Sequence, residues 1–191
     1  MKFLIALIAA FLPFTHAQSW EIDSAHASAQ FSVRHMMISN VKGEFTKVTG
    51  KAVYDPNNLA GASLEATIDV NSITTREPRR DTHLRSADFL DVAKFPTIQF
   101  KSTKFVKAAS GLTILGDLTI HGVTKPVTLV VDGPSAEVVD ARSGPKIGAS
   151  AITKINRKDF GMTYNALVEA GGMVVGEEVT ISIDVELVKK K

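Results

Sequence analysis

The 191-residue chain reads as an all-β domain, either a closed barrel or a two-sheet sandwich. Three observations predict it. Several stretches alternate apolar and polar residues with period two, which marks antiparallel strands with one dry and one wet face. Gly, Pro, Asn and Asp separate these stretches at the spacing found in barrels and sandwiches. Only one interval, 76–92, is polar, charged and free of that alternation.

The elements follow in order. Residues 29–34 (AQFSVR) place Phe31 and Val33 on one face. Weaker strands fit 41–48 and 50–54. Leu64, Ala66, Ile68 and Val70 share a face in 63–70, as do Ile98 and Phe100 in 97–101. Ile114, Gly116, Leu118 and Ile120 form the next run, and Val127, Leu129 and Val131 follow. A weaker strand fits 147–155. The last run, 179–187 (VTISIDVEL), is the cleanest, with five apolar residues facing one way. Turn signals stand at Asp55-Pro56-Asn57-Asn58, Ser110-Gly111, Asp132-Gly133-Pro134 and Gly171-Gly172. In the exceptional interval Pro78 suits a first helical position, which predicts a short helical segment around 78–90. Eight or more strands result, in one domain. Closure into a barrel would remove the sheet edges. Eight strands leave an interior that side chains fill or that holds one small ligand. The small inward residues Ala29, Ala66, Gly116 and Ala149 leave room, and facing Phe side chains compete to fill it.

Composition narrows the function. With 45% hydrophobic residues and a formal charge of +2, the chain is neither disordered nor built to neutralise many phosphates, so a nucleic-acid partner is not expected. It has no cysteine, which excludes disulfides, thiolate metal sites and a cysteine nucleophile. Residues 1–17 (MKFLIALIAAFLPFTHA) carry one cation, an apolar run and small residues before Gln18. That order predicts a secretory signal peptide, a domain over 18–191 and a periplasmic destination. The apolar run is too short for a permanent membrane span.

The search for chemistry is mostly negative. His26, His35, His83 and His121 have no metal-binding spacing, so neither a metal nor a cofactor is expected. No Gly-x-Ser-x-Gly elbow occurs, and Asp159-Phe160-Gly161 lacks the other kinase elements. Asp69, Asp184 and Glu186 take outward strand positions and read as solvated surface. Met36 and Met37 read as core filler ahead of cavity lining. The cluster 79–86 (RRDTHLRS) reads first as a solvated helix between strands, second as a lid whose polar groups meet a ligand head group.

Several segments in register, FSVRHMMISNVKGEF, SLEATIDVNSITT, RRDTHLRSADFLDVAKFPTIQFKSTKF, GDLTIHGVTKPVTL and INRKDFGM, resemble the YceI-like polyisoprenoid-binding proteins. Thr82 stands where that family more often has alanine. The resemblance implies a fold similar to lipocalins: an extended eight-stranded antiparallel barrel with a helical segment. It also implies a long isoprenoid or similar amphiphile inside, such as a polyisoprenoid, an isoprenoid quinone or a fatty-acyl lipid. A periplasmic setting, a homodimer, transient membrane contact and a link to stress responses belong to the same expectation.

The expected cavity lining is Phe31, Val33, Phe45, Leu64, Ile68, Ile98, Phe100, Leu118, Ile120, Ile181 and Ile183. The motifs add polar candidates for a mouth or head-group site: His35, Arg80, Asp81, His83, Asn156, Arg157 and Asp159. No catalytic residue is assigned. Three classes compete: a lipid carrier or reservoir, which is favoured; an enzyme acting on an amphiphile, with His83 or His35 as base; and a ligand-free structural or stress barrel with a filled core.

Overall fold

The computed structural model describes residues 18–108, 111–142, 144–166 and 173–190. The expected signal peptide at 1–17, the Gly171-Gly172 turn and Ser110 lie outside them.

The strands are β1 (Gln18–His35), β2 (Ser39–Phe45), β3 (Val48–Tyr54), β4 (Ser63–Asp69), β5 (Ile73–Thr74), β6 (Thr97–Ala108), β7 (Gly111–Ile120), β8 (Val123–Asp132), β9 (Val138–Asp140), β10 (Gly144–Asn156) and β11 (Val175–Lys189). The single α-helix among the described residues is α1 (Pro78–Arg85). Every pairing is antiparallel. β1 pairs with β11, and the sheet runs through β10, β8, β7, β6 and β4 to β3, which returns to β1. Eight strands therefore close a barrel. β2 prolongs the β3 side of it: residues 18–21 of β1 pair with β3, and residues 29–35 pair with β2. The short β5 adds to β2, and β9 adds to β10.

Irregularities keep the apolar face inward. Ile22 pairs with Leu187 and Ala27 with Val185, so Asp23, Ser24, Ala25 and His26 bulge out opposite Glu186. That bulge breaks the alternation of residues 18–28, which is why the sequence shows only the last part of β1, from Ala29 on, as strand. In β6 one extra residue, Thr103, stands between the Ser102–Gly116 and Lys104–Leu115 pairs. A one-residue slip exchanges the faces of a strand, and here it lets Phe105 join Phe100 in the core.

Two glycines make space for rings. A Cβ on Gly116 would collide with the Phe100 ring, and one on Gly43 with the Phe31 ring. Gly116 was expected to leave an opening, but the Phe100 ring lies over it and fills the space.

The segment 75–96 between β5 and β6 forms a cap. The helix within it is shorter than 78–90: it ends at Arg85, and turns carry the chain through Leu90. Glu77 caps its start by accepting from the Arg79 and Arg80 N–H groups at 3.2 and 2.6 Å, with Pro78 in the first turn. A helix this short is marginal alone and depends on tertiary anchors.

Candidate functional site

The barrel encloses a cavity of about 270 Å³. All eleven lining residues named from the sequence, Phe31 to Ile183, border it. Period-two alternation on a closed sheet puts them there, because each inward position on one strand meets inward positions on its neighbours. Ala29, Ala66 and Ala149 also border it, with Leu84, Phe89 and Leu90 of the cap. The polar lining residues are Gln30, Tyr54, Ser150, Thr153 and Arg157. Burial, reinforced by Asp55, raises the Tyr54 phenol above its usual range, so it stays neutral.

The polar candidates for a mouth or head-group site are placed differently, and the fold does not bring them to one place. Only Arg157 borders the cavity. Asp81 is buried and accepts from the Thr75 N–H at 2.8 Å and the Thr75 hydroxyl at 2.5 Å. Arg80 Nε donates to the Thr75 hydroxyl oxygen at 2.7 Å, and its Nη2 donates to the Thr75 carbonyl at 3.0 Å. These groups tie α1 to the end of β5. Arg85 adds Nη2 to the Ile73 carbonyl at 2.6 Å. His83 is exposed, with Nε2 2.8 Å from an Asp88 carboxylate oxygen and its ring edge-on to Phe89 and Tyr164. His35 ends β1, paired with Ser39 and Val175. Thr82 donates back to the Pro78 carbonyl at 2.9 Å on the exposed side, so its departure from alanine leaves the cavity unchanged.

The segment 156–162 (NRKDFGM) is a local device. Asn156 accepts from the Lys158 N–H at 2.9 Å and starts a 3-10 turn over Arg157–Phe160. Gly161 ends it at a φ of 78°, a conformation that suits glycine. Asp159 is exposed on that turn. Phe160 is 2% exposed and Arg157 is 3% exposed. Arg157 donates to the carbonyls of Met162 at 2.5 Å, Gly176 at 2.9 Å and Val175 at 3.3 Å. Burial pushes its pKa below the usual guanidinium range, while Glu177 pulls it back up. The one charged lining side chain thus turns these donors onto backbone.

A cluster that the sequence did not reveal sits at the β1 bulge. Ligand atoms of Asp23, His26 and Glu186 lie within 4.8 Å of one another. Lys146 Nζ stands 2.9 Å from Asp23 and 3.0 Å from Glu186, so an ammonium supplies the cation there. Only the fold brings these residues together, from three distant parts of the chain.

A closed antiparallel barrel of eight strands around a nearly apolar cavity defines the class. Residues 20–187 match the YceI-like domain, and the chain belongs to that family. It is 40% identical over 159 residues to a UPF0312 protein of Vibrio cholerae, covering 79% of this chain and 82% of the relative. A UPF0312 protein of Shewanella denitrificans is 41% identical over 150 residues, covering 77% and 78%. Among solved structures, BcnA of Burkholderia cenocepacia superposes with a TM-score of 0.70 at 22% identity, over 86% of this chain and 98% of that one. A polyisoprenoid binding domain from Saccharophagus degradans superposes with a TM-score of 0.65 at 16% identity, over 92% and 100%. These two likenesses speak for the fold.

Proposed function

We propose that this chain is a periplasmic lipid-binding barrel, exported by residues 1–17, that carries or stores a long isoprenoid or similar amphiphile and exchanges it with a membrane. The observation that carries this reading is the cavity wall: inward positions of eight strands give apolar contact with little directional chemistry. A chain without functional groups needs no more. The likeness to the polyisoprenoid binding domain of Saccharophagus degradans supports the same reading.

The energetics suit a carrier. Each methylene withdrawn from water gains about 0.8 kcal/mol. A bilayer hides the same methylenes equally well, so the net preference for barrel over bilayer is small and exchange is permitted. An enzyme acting on the amphiphile finds less support. His83 is exposed and does not line the barrel cavity, and His35 is held at a strand end. The cavity also favours cargo over the stress barrel with a filled core.

The test is denaturing extraction of the purified protein followed by mass spectrometry, beside uptake of isoprenoid and fatty-acyl probes. A recurrent apolar long-chain species is expected. Ala151→Phe, which places a ring in the cavity, should lower probe uptake at least about tenfold, or about 1.4 kcal/mol. Empty extracts together with no uptake would sink the proposal. Native mass spectrometry of the same sample reports whether the expected homodimer forms.

A further inference from the structure

The β1–β2 turn breaks two local rules at once. Met36 and Met37 both adopt left-handed backbone, with φ of 49° and 62°. The Ile38 N–H closes the turn on the His35 carbonyl at 3.1 Å. Such turns favour Asn-Gly, because side chains beyond Cβ strain at positive φ. The two strained residues are also exposed, Met36 by 43% and Met37 by 59%, and Ile38, which closes the turn, is exposed by 76%. The expectation that Met36 and Met37 fill the core is therefore wrong. An apolar turn in a strained conformation contributes nothing to the core, which points to a role outside the fold.

Its surroundings say what it meets. The Met36 N–H donates to the Val174 carbonyl at 2.7 Å, which sets the turn beside Met173, itself 41% exposed. Three large apolar side chains thus stand on the tip, and a fourth exposed one, Met173, precedes the residue to which the tip is bonded. The hairpin segment 34–42 carries Arg34, His35 and Lys42 and no carboxylate. Arg34 Nη2 donates to the Met37 carbonyl at 2.8 Å and braces the turn. The tip also stands at the end of the barrel where Val33 and Val175 border the cavity. Apolar side chains flanked by cations match the boundary of an anionic bilayer, where apolar groups enter and basic groups meet phosphates.

We infer that the Met36-Met37-Ile38 turn, with Met173 beside it and Arg34 and Lys42 behind it, is a wedge that docks this barrel on an anionic membrane surface. The inference deepens the carrier reading and rests on it, since docking brings the cavity end to the lipid it exchanges.

The test uses a triple variant, Met36→Asn, Met37→Gly and Ile38→Ser, which supplies the preferred turn residues and removes the apolar tip. Flotation with phosphatidylglycerol–phosphatidylethanolamine vesicles compares it with the native protein, and phosphatidylcholine vesicles serve as the control. The native protein should float with the anionic vesicles and much less with the control. The variant should lose at least about tenfold of that binding, unfold at a higher temperature, and take up an apolar fluorescent fatty acid in vesicle-free buffer as the native protein does. A native protein that stays soluble, or prefers neither vesicle, overturns the wedge. So does a variant that floats within tenfold of native, unfolds earlier or loses uptake in solution. If neither protein takes up the fatty acid and the denaturing extracts are also empty, the cavity reading fails on its own, and flotation still decides the docking surface.

Discussion

The barrel wall and the cap handle burial in opposite ways. The wall turns Phe, Ile, Val and Leu inward from eight strands and leaves its charges outside. The cap is dense with ionisable groups, yet it presents Leu84, Phe89 and Leu90 to the cavity. Its Arg80, Asp81 and Arg85 bind Thr75 and the backbone of residues 73 and 75. The comparison teaches that charge near a cavity in sequence is not charge in the cavity. A short loop between strands has few backbone partners of its own, and side chains supply them.

The sharpest way to break this contrast is at Arg157, the one charged side chain among the described residues that borders the cavity. Its guanidinium holds three carbonyls from two segments. Arg157→Met keeps much of the volume and strands the Met162 and Gly176 carbonyls, while Asn165 Nδ2 still donates to the Val175 carbonyl at 2.7 Å. An unsatisfied buried acceptor costs about 1–3 kcal/mol, so the loss should be about 3 kcal/mol or more in urea unfolding. A loss under about 1 kcal/mol would show that the three bonds contribute little and that Arg157 is free to serve a ligand instead.

The corresponding change in the cap is Asp81→Ala. It leaves the Thr75 N–H without its acceptor and removes the group to which the Thr75 hydroxyl donates, while Arg80 Nε still donates to that hydroxyl. A destabilisation of about 2 kcal/mol is expected, with faster amide exchange confined to residues 75–91. Uniformly faster exchange would mean that the cap and the wall unfold as one unit, against the division drawn between them.

The wall was legible because its signal is local and repeated. Period two fixes the face, and closure fixes which face is inside, so Leu64, Ile98, Phe100 and Ile181 could be placed from sequence. The polar candidates were not legible for the converse reason. Asp81 and Arg80 are marked by type, but their direction depends on where Thr75 ends β5, which is a tertiary fact. Asn156 and Asp159 belong to a turn whose purpose is to cap itself and bury Phe160. Gly116 misled because its space is defined by a ring on the neighbouring strand, two positions out of register. The turn at Met36 was hidden by its own composition, since two methionines and an isoleucine read as core.

Gly116 offers the third, smaller perturbation. Gly116→Ala sets a methyl against the Phe100 ring and the Lys101 carbonyl. Overpacking of this kind costs about 1–3 kcal/mol, and about 1–2 kcal/mol is expected, because the ring can swing toward the cavity but the Lys101 backbone carbonyl, 2.6 Å from the added methyl, has to shift. The same swing should reduce uptake of a long-chain probe. An unaffected uptake with the expected loss of stability would show that Phe100 moves away from the ligand path.

The mildest effect belongs to the Asp23–Lys146–Glu186 cluster on the β1 bulge, and it is read through pH. The Lys146 ammonium, joined by His26, holds the Asp23 carboxyl down to about 2 from its ordinary 3.8. A carboxylate depressed in the folded state adds stability that is fully present above its unfolded pKa and is lost as pH falls toward the folded one. The contribution is therefore complete above about pH 5 and fades between about pH 4 and pH 2. Lys146 is shifted the other way, raised above 10.5 chiefly by Asp23 and then by Glu186, so its share is present at neutral pH and fades only as strongly alkaline pH passes through the raised value. Lys146→Met should remove both limbs: its stability relative to the native protein is lowest near neutral pH and converges on it near pH 2. Urea midpoints measured across that range give the answer. A deficit that persists unchanged at pH 2 would assign the role of Lys146 to packing of its aliphatic stem against the bulge, not to charge.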